Sequence, residues 1–495
     1  VTSRSQPNGS LLRKAEMLDR MVMTRVAAAD SPILDYAMPR LSRAADHSVL
    51  WIAIATGLAS TRNKWARRAA LRGLASIAIA SAASNVAAKG LAGRARPRYE
   101  IPLLRRLLRV PRTTSFPSGH SASAAAFATG VALETPRLAA PVGAVALAVG
   151  ASRVVVGVHY PSDVLAGFAI GAAAGTLTLR WWPRRPTQPA KAVPRRHEAP
   201  AAPTGEGLVL AVNPAAGGAS SNLVAELRAE LPDAHVVEVG DGEDLAAVFR
   251  DASRSARILG VAGGDGSVNI AADIALAANL PLLVVPSGTF NHFATDLGVI
   301  STSDALEALR AGDAVRVDVG VAGRTPFLNT SSTGVYVDLV RARERLENRI
   351  GKWPALLVAL IHVLRHSRPQ DILVDGRRRR LWLLFTGNCC YAPQGFAPSY
   401  RPNLSDGKLD VRVVDARHPL ARFRLLAAVF LGTLARSHVY QAWAADAIEL
   451  AAADGSPIQM SIDGEVAAAG RSIRVAKQHA RLLVYRKADG DSSTG

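Results

Sequence analysis

Residues 114–123 read TSFPSGHSAS and run directly into AAAFATGVAL at 124–133. A turn carrying Pro117, Gly119 and His120 thus opens an apolar, alanine-rich helical stretch. The first turn of a helix leaves backbone N–H groups without intrahelical partners, and imidazole titrates near neutrality. Placed together they are suited to an anion at the mouth of a helix.

Working outward, apolar runs occupy 47–60, 69–88, 121–136, 138–156 and 164–182. Several approach the ~20 residues that cross a ~30 Å hydrocarbon layer at ~1.5 Å per residue. The expectation is an N-terminal all-α membrane helix bundle of about five spans. Three polar clusters interrupt the runs: KGLAGRARP at 89–97, SFPSGH at 115–120 and SRVVVGVHYPSD at 152–163. If the helices alternate in direction, all three clusters meet on one face. There Lys89, Arg96 and Arg153 bring cations for phosphoryl oxygens, and the backbone around Ser118 and Gly119 adds an anion site. One imidazole can attack phosphorus while the other protonates the departing oxygen, and Asp163, four residues after His159, can hold the nucleophile's far nitrogen.

These residues spell a pattern: Lys89, six residues, Arg96-Pro97; Pro117-Ser118-Gly119-His120; Ser152-Arg153, five residues, His159, three residues, Asp163. It resembles the three-part signature of the type 2 phosphatidic acid phosphatase superfamily. The resemblance covers roughly 45–182 and implies a metal-independent membrane phosphatase. In it His159 forms a phosphohistidine, His120 is the general acid, and Asp163 orients His159. Lys89, Arg96, Ser118, Gly119 and Arg153 bind the substrate phosphate.

The chain has 495 residues, beyond one ordinary core, and 59 Lys+Arg against 40 Asp+Glu give a formal charge of +19. Such a balance points to an anionic partner. Membrane lipids and lipid phosphates are the expected partners and nucleic acid is not. Cys389 and Cys390 are the two cysteines, and their adjacency does not suit an ordinary disulfide, which fits a reducing compartment. The chain starts with Val and shows no cleavable signal pattern, so none is expected. Residues 1–44 are too charged to span and are expected to form an interfacial segment, with the phosphatase at 45–182. Residues 183–206 are rich in Pro, Ala and Arg and read as a linker.

Beyond the linker the pattern becomes α/β. LVLAVNPAAGG at 208–218, RILGVAGGDGSVN at 257–269 and LLVVPSGTF at 282–290 each run an apolar strand into a small-residue turn. Three such turns cluster at the carboxyl edge of one parallel sheet, where nucleotides bind. No G-x-x-x-x-G-K-[ST] sequence occurs. The order Asn213-Pro214 with Gly217-Gly218, Gly263-Gly264-Asp265-Gly266-Ser267, Ser287-Gly288-Thr289, LSDGKLD at 404–410 and Asp463-Gly464-Glu465 is similar to the diacylglycerol kinase and sphingosine kinase family.

This second resemblance covers about 207–487. It implies an α/β ATP-binding subdomain at 207–315, a β-sandwich at 316–487, ATP and Mg2+ as cofactors, and phosphorylation of a lipid hydroxyl. Asn213, Gly217, Gly218, Gly263, Gly264, Gly266, Ser267, Gly288 and Thr289 would hold ATP, and Asp265 would face the cleft. Asp463 or Glu465 would act as base or metal partner, and Asp406 with Asp410 would hold a supporting Mg2+. Ile270 and His292 stand where the family commonly has acids. NAD kinases and phosphofructokinases share GGDG turns and are the rival enzymes. A second class of reading is an active phosphatase joined to a catalytically silent binding module.

KWPALLVALIHVLRHSRP at 352–369 and LARFRLLAAVFLGTLARSH at 420–438 have apolar centres too short to span a bilayer. They are either ordinary core elements or a lipid-gripping surface with basic flanks. Cytosolic ATP and the basic linker place the kinase half inside a bacterial cell membrane, and counting spans backward puts the phosphatase clusters on the outer face. The basic loop 89–120 runs against the positive-inside rule, and only Lys89 and Arg96 have a phosphate-binding reason to lie there.

Overall fold

The computed structural model describes residues 8–488 apart from 62, 91–93, 98–113, 187, 195–197, 215–221, 241–242, 289–290, 395–398 and 469. Side chains at 8–12, 64, 87–90, 348, 352–353, 364 and 468 also lie outside the description. The chain forms two compact units, Val1–Arg184 and Arg185–Gly495.

The first unit is helical: α1 Asn8–Ala28, α2 Met38–Ala44, α3 Val49–Ser60, α4 Lys64–Gly90, α5 Gly119–Glu134, α6 Ala139–Val155 and α7 Pro161–Leu177. Among the described residues, three stretches, Trp65–Val86, Pro136–Val155 and Pro161–Arg180, are long and apolar enough to cross a membrane. The runs at 47–60 and 121–136 become α3 with 12 residues and α5 with 16. At ~1.5 Å per residue these helices fall short of a ~30 Å layer. Ahead of residue 45, α1 packs into the unit, with its Met23 and Asp19 buried.

Small residues set how closely these helices approach. On α7, Gly167 and Gly171 lie four residues apart and so share one face. A Cβ at Gly167 would stand 2.4 Å from the Ser118 carbonyl oxygen, and one at Gly171 2.2 Å from that of Ala122. The α5 backbone therefore rests on α7 where any side chain would exclude it. Farther along, the buried Glu134 carboxylate accepts from Arg68 at 2.6 Å and Arg72 at 2.5 Å. Arg72 also donates to Thr178 Oγ1 at 2.8 Å and to the Trp182 carbonyl. This ion cluster ties α4, α5 and the chain after α7 together and fixes their register more than it adds stability.

The second unit begins with β1, Val193–Pro194, and continues as β2 Leu208–Val212, α8 Leu223–Glu230, β3 His235–Glu238, α9 Leu245–Ala252, β4 Ile258–Gly263, α10 Asp265–Ala278, β5 Leu282–Pro286, α11 His292–Leu297 and α12 Thr302–Ala311. The strands form a parallel sheet in the order β3-β2-β4-β5. Every residue of β2 and β4 is buried, as unbroken apolar runs covered on both faces require.

Next come β6 Ala314–Ala322, β7 Thr325–Phe327, β8 Thr330–Gly334, α13 Val335–Ile350, α14 Lys352–His366, β9 Gln370–Val374, β10 Arg377–Asn388, β11 Leu409–Asp415, α15 Ala421–Phe430, β12 Tyr440–Ala445, β13 Ala447–Ala452, β14 Gln459–Ile462, β15 Glu465–Ala468 and β16 Ser472–Tyr485. Their pairings are antiparallel around a second apolar core that includes Phe327, Leu384, Val411 and Met460. The end of β16 returns to the first layer: Val484 pairs in parallel with Leu282 and antiparallel with Val315. The 352–369 stretch becomes α14, and 420–438 becomes α15 with a short turn, Leu434–Arg436. Both helices leave large apolar side chains in the open, with Leu357 60 % and Phe430 78 % exposed.

The contact at Gly171 makes a direct prediction. Gly171→Val forces α5 away from α7 and destabilises the first unit by about 1–3 kcal/mol, the cost of overpacking a close interface. The unfolding midpoint of the second unit stays at the wild-type value. Thermal unfolding of the purified variant in detergent checks both halves of the statement.

Candidate active sites

Ser118 caps α5: its Oγ lies 2.8 Å from Ser121 Oγ, and its N–H donates to the Asp163 carbonyl at 3.0 Å. That bond joins the SGH turn to the first turn of α7. His159 is buried in the segment between α6 and α7, with Nδ1 2.6 Å from the Ser115 carbonyl oxygen. A carbonyl only accepts, so Nδ1 carries the proton and Nε2 keeps a lone pair. Arg96 Nη1 approaches that Nε2 at 3.4 Å and donates to the Val158 carbonyl at 2.7 Å. Burial pulls the His159 imidazole below its ordinary value of 6.5, against the opposing pull of Asp163. The ring is therefore neutral at physiological pH.

Asp163 Oδ2 stands 3.7 Å from His159 Nδ1, outside hydrogen-bond reach. The bond expected of Asp163 goes instead to Ser115. Asp163 accepts from the Tyr160 N–H at 2.8 Å and from Arg94 Nη1 at 2.7 Å, so it holds the HYPSD turn in shape. Arg94 also pairs with Asp19 at 2.6 Å and lies 4.1 Å over the Tyr160 ring. Asp19 in turn accepts from the Ser162 N–H and hydroxyl at 2.9 and 2.6 Å.

His120 Nε2 lies 2.8 Å from Asp46 Oδ1, and the buried Arg153 reaches Ser42 Oγ at 2.6 Å and Asp46 Oδ1 at 3.8 Å. Arg96, Ser118, Gly119, His120, Arg153, His159 and Asp163 thus lie in one linked set. Lys89 falls in the last turn of α4, with its side chain outside the described residues. Sequence reasoning missed Asp19, Ser42, Asp46 and Arg94. Three of these lie in or beside the segment set aside as interfacial, and no spacing rule distinguishes their acids from surface ones.

In the second unit the ends of β4 and β5 touch. A Cβ at Gly288 would stand 2.4 Å from Gly264 Cα, so the two turns abut backbone to backbone. Asn213 Nδ2 donates to Ser267 Oγ at 3.0 Å, bringing the end of β2 to the same place. Gly263, Gly264, Gly266 and Ser267 form the junction where β4 enters α10. The Asp265 carboxylate accepts the N–H groups of His292 at 3.1 Å and Phe293 at 3.2 Å, capping α11. Gly217, Gly218 and Thr289 lie outside the described residues.

Asp463 accepts three backbone N–H groups, from Leu328 at 2.8 Å, Asn329 at 3.0 Å and Thr330 at 2.7 Å. Burial pushes its carboxyl up to about 6 against those donors. Glu465 is exposed, and its Oε1 lies 3.4 Å from where a Cβ at Gly266 would be, so it faces the start of α10. The pair Asp406 and Asp410 does not fit a supporting Mg2+. Asp410 Oδ2 already accepts from Arg412 at 3.0 and 2.7 Å and from the Tyr391 N–H at 2.9 Å. Asp406 accepts from the N–H groups of Cys390 at 2.8 Å and Lys408 at 2.9 Å. Mg2+ demands near-octahedral oxygen ligands at ~2.0–2.1 Å, which carboxylates held this way do not supply.

A helix bundle that gathers two imidazoles and fixed arginines, followed by a unit with glycine turns at parallel strand ends and a β-sandwich, is the class of a phosphatase-type bundle joined to a lipid-kinase-type fold. Family comparison makes the assignment specific. The PAP2 superfamily matches residues 69–187, the diacylglycerol kinase catalytic domain 207–322, and the YegS C-terminal NAD kinase beta sandwich-like domain 330–484. The decaprenylphosphoryl-5-phosphoribose phosphatase of Mycobacterium tuberculosis is 35% identical over 163 residues, 32% of this chain and 85% of that protein. The lipid A 1-phosphatase of Rhizobium johnstonii is 52% identical over 64 residues, 13% of this chain and 26% of that protein. The chain thus spans about a quarter of the length of the lipid A 1-phosphatases that it matches. A crystal structure of a diacylglycerol kinase from Bacillus anthracis is 18% identical, with a TM-score of 0.40, covering 57% of this chain and 96% of that one. The chain belongs to the PAP2 superfamily and carries in its second half a diacylglycerol kinase catalytic domain with its sandwich partner.

Burial of His159 makes a direct pH prediction. Its imidazole takes up a second proton only below the ordinary value of 6.5, because burial favours the neutral ring. An NMR pH titration of the labelled imidazoles, with His159→Gln assigning the resonance, checks this, and a midpoint at or above 6.5 overturns it.

Proposed function

We propose that the chain is a bifunctional membrane lipid enzyme, a metal-independent lipid phosphate phosphatase joined to an ATP-dependent lipid kinase. The observation that carries the phosphatase reading is the tautomer of His159, with Nδ1–H given to Ser115 and Nε2 left beside Arg96. Nε2 attacks phosphorus, the bond from phosphorus to the lipid oxygen breaks, and His120 gives its proton to the departing oxygen. His120 then takes a proton from water as that water attacks the phosphohistidine, releasing phosphate and restoring His159. Lys89, Arg96, Arg153 and the α5 N-terminus around Ser118 and Gly119 hold the phosphoryl oxygens.

In the kinase half, Asn213, Gly263, Gly264, Gly266, Ser267 and Gly288, with Gly217, Gly218 and Thr289, form the ATP cradle. Mg2+ accompanying ATP neutralises charge on its phosphates. Glu465 takes the proton from the lipid hydroxyl. Asp265 and Asp463, each tied to backbone N–H groups, hold the shape of the cleft. The exposed faces of α14 and α15 receive the lipid, since Leu357 and Phe430 stand open on helices that also carry Arg365, His366 and Arg422. The lipids are of the polyprenyl phosphate or phosphatidic acid kind for the first site and diacylglycerol, a sphingoid base or a polyprenol for the second. A second reading has support as well: the Asp265 carboxylate is committed to capping α11, which favours a silent nucleotide-binding module.

Radiolabelled ATP with a panel of lipids, in detergent, separates the two readings. Label appears in lipid with wild type and falls about 10²–10⁴-fold in Glu465→Gln, the range of general base catalysis. ATP binding with no labelled lipid supports the silent module. Phosphate release continues in EDTA and disappears in His159→Ala; loss in EDTA with recovery in Mg2+ overturns the metal-independent reading.

For topology, we propose that α3 and α5, too short for a full ~30 Å layer, cross where the bilayer thins locally and so complete five spans, with residues 1–44 along the interface, the phosphatase site outside and the kinase half cytoplasmic. Single cysteines at Tyr99 and Thr204, with Cys389 and Cys390 replaced by Ser, check this. An impermeant maleimide on intact cells labels position 99 and spares 204; protection of both overturns the arrangement.

A further inference from the structure

The kinase resemblance implies a divalent ion at LSDGKLD, and an ammonium group stands in its neighbourhood. Lys477 lies on β16 with its side chain only 2 % exposed. Its Nζ is 2.6 Å from Asn388 Oδ1, 3.0 Å from Cys389 Sγ, 3.4 Å from Asp318 Oδ2 and 4.0 Å from Asp406 Oδ1. Among the described residues, Asp318, Cys389 and Asp406 bring ligand atoms within 4.8 Å of one another. The side chains that would gather around a metal are gathered around an amine.

The surroundings are built for that charge. Asn388 Nδ2 donates to the carbonyls of Asp318 and Leu328, both at 2.9 Å, which turns Oδ1 toward Lys477. Asp318 is fully buried and takes the Ala480 N–H on Oδ1 and the Gly407 N–H on Oδ2, each at 2.7 Å. His479 Nδ1 adds a contact to Asp318 Oδ1 at 2.8 Å. The register of β16 against β6 shifts between Gln478 and Leu482, and Ala480 has φ 47. This irregularity aims the Ala480 N–H at Asp318. Three ammonium hydrogens face an amide oxygen, a thiol and a carboxylate. Mg2+ suits that set poorly, because it takes hard oxygen ligands while Cys is soft.

We propose that the Lys477 ammonium is the resident cation of this site, pinning the 404–410 loop to β6, β10 and β16 as a supporting metal would. Removing the amine turns Asp318, Cys389 and Asp406 into a site for a thiophilic divalent ion. The inference rests on the kinase-family reading only for the ion it displaces. Its test uses neither nucleotide nor lipid, so it stands or falls apart from turnover.

The full chain in detergent is unfolded thermally in EDTA and in Mg2+. The wild-type midpoint for the second unit is the same in both. Lys477→Ala lowers it in EDTA, and Zn2+ restores it by several degrees because the ion binds the folded state. Co2+ added to Lys477→Ala gives a thiolate charge-transfer band in the near ultraviolet that is absent from wild type and from the Lys477→Ala/Cys389→Ser double variant. Should Lys477→Ala not fold, Asp406→Asn decides. With a resident ammonium it lowers the midpoint equally in EDTA and Mg2+. A wild-type midpoint that rises with Mg2+, with the rise lost in Asp406→Asn, overturns the proposal, as does an unchanged Lys477→Ala with no Co2+ band.

Discussion

The approach of α5 to α7 is the constraint on which the first unit depends. Backbone meets backbone at Gly167 and Gly171, and only at that spacing does the Ser118 N–H reach the Asp163 carbonyl. That single bond places the SGH turn beside the HYPSD turn. His120 and His159 then belong to one set although 38 residues and a whole helical hairpin separate them in the chain. Alanine-rich surfaces make the approach possible, since they present little to interdigitate and much backbone to rest on.

The second unit uses the same device for a different end. Gly264 and Gly288 abut at the ends of β4 and β5, and a Cβ at Gly288 would stand 2.4 Å from Gly264 Cα. A side chain at Gly288 would therefore drive the two strand ends apart. The acids around them are restrained rather than free. Asp265 caps α11 and Asp463 ties the start of β8, while Glu465, two residues on, stays exposed. A motif of neighbouring acids thus divides into one bound to backbone N–H groups and one left exposed.

Buried charge follows one rule in both units: each ion is met by several fixed partners. Glu134 has two arginines, Asp163 has Arg94 and a backbone N–H, Arg401 has Asp296 with carbonyls around it, and Lys477 has Asp318 and Asp406. Removing one partner leaves an uncompensated charge in a poor solvent for it, which is why such clusters hold elements in a single register. Part of the chain's charged residues is therefore internal structure, although these sets together carry no net charge and leave the formal +19 to the rest of the chain.

Much of the architecture was legible from local sequence. The apolar runs, the strand-to-glycine turns and both family signatures are near-neighbour patterns, and hydrophobic periodicity and turn chemistry act over a few residues. Within 183–206, read as a linker from its Pro, Ala and Arg content, β1 instead pairs with β6, and Ala190, Ala199 and Ala202 are buried in the core of the second unit. The count of spans was less legible, because an apolar run records composition while a helix also needs length, and α3 and α5 are short. Contacts between distant segments had no local signal at all. Asp46 beside His120, Asp19 beside Arg94, Ser115 rather than Asp163 on His159 Nδ1, and Lys477 in place of an ion each join residues whose neighbours in sequence look ordinary. Residue types and order determined which chemistry the chain carries. Tertiary packing decided which partner each charged group meets, because hydrogen bonds and ion pairs depend on distances of a few ångströms that only the close approach of helices and strands sets.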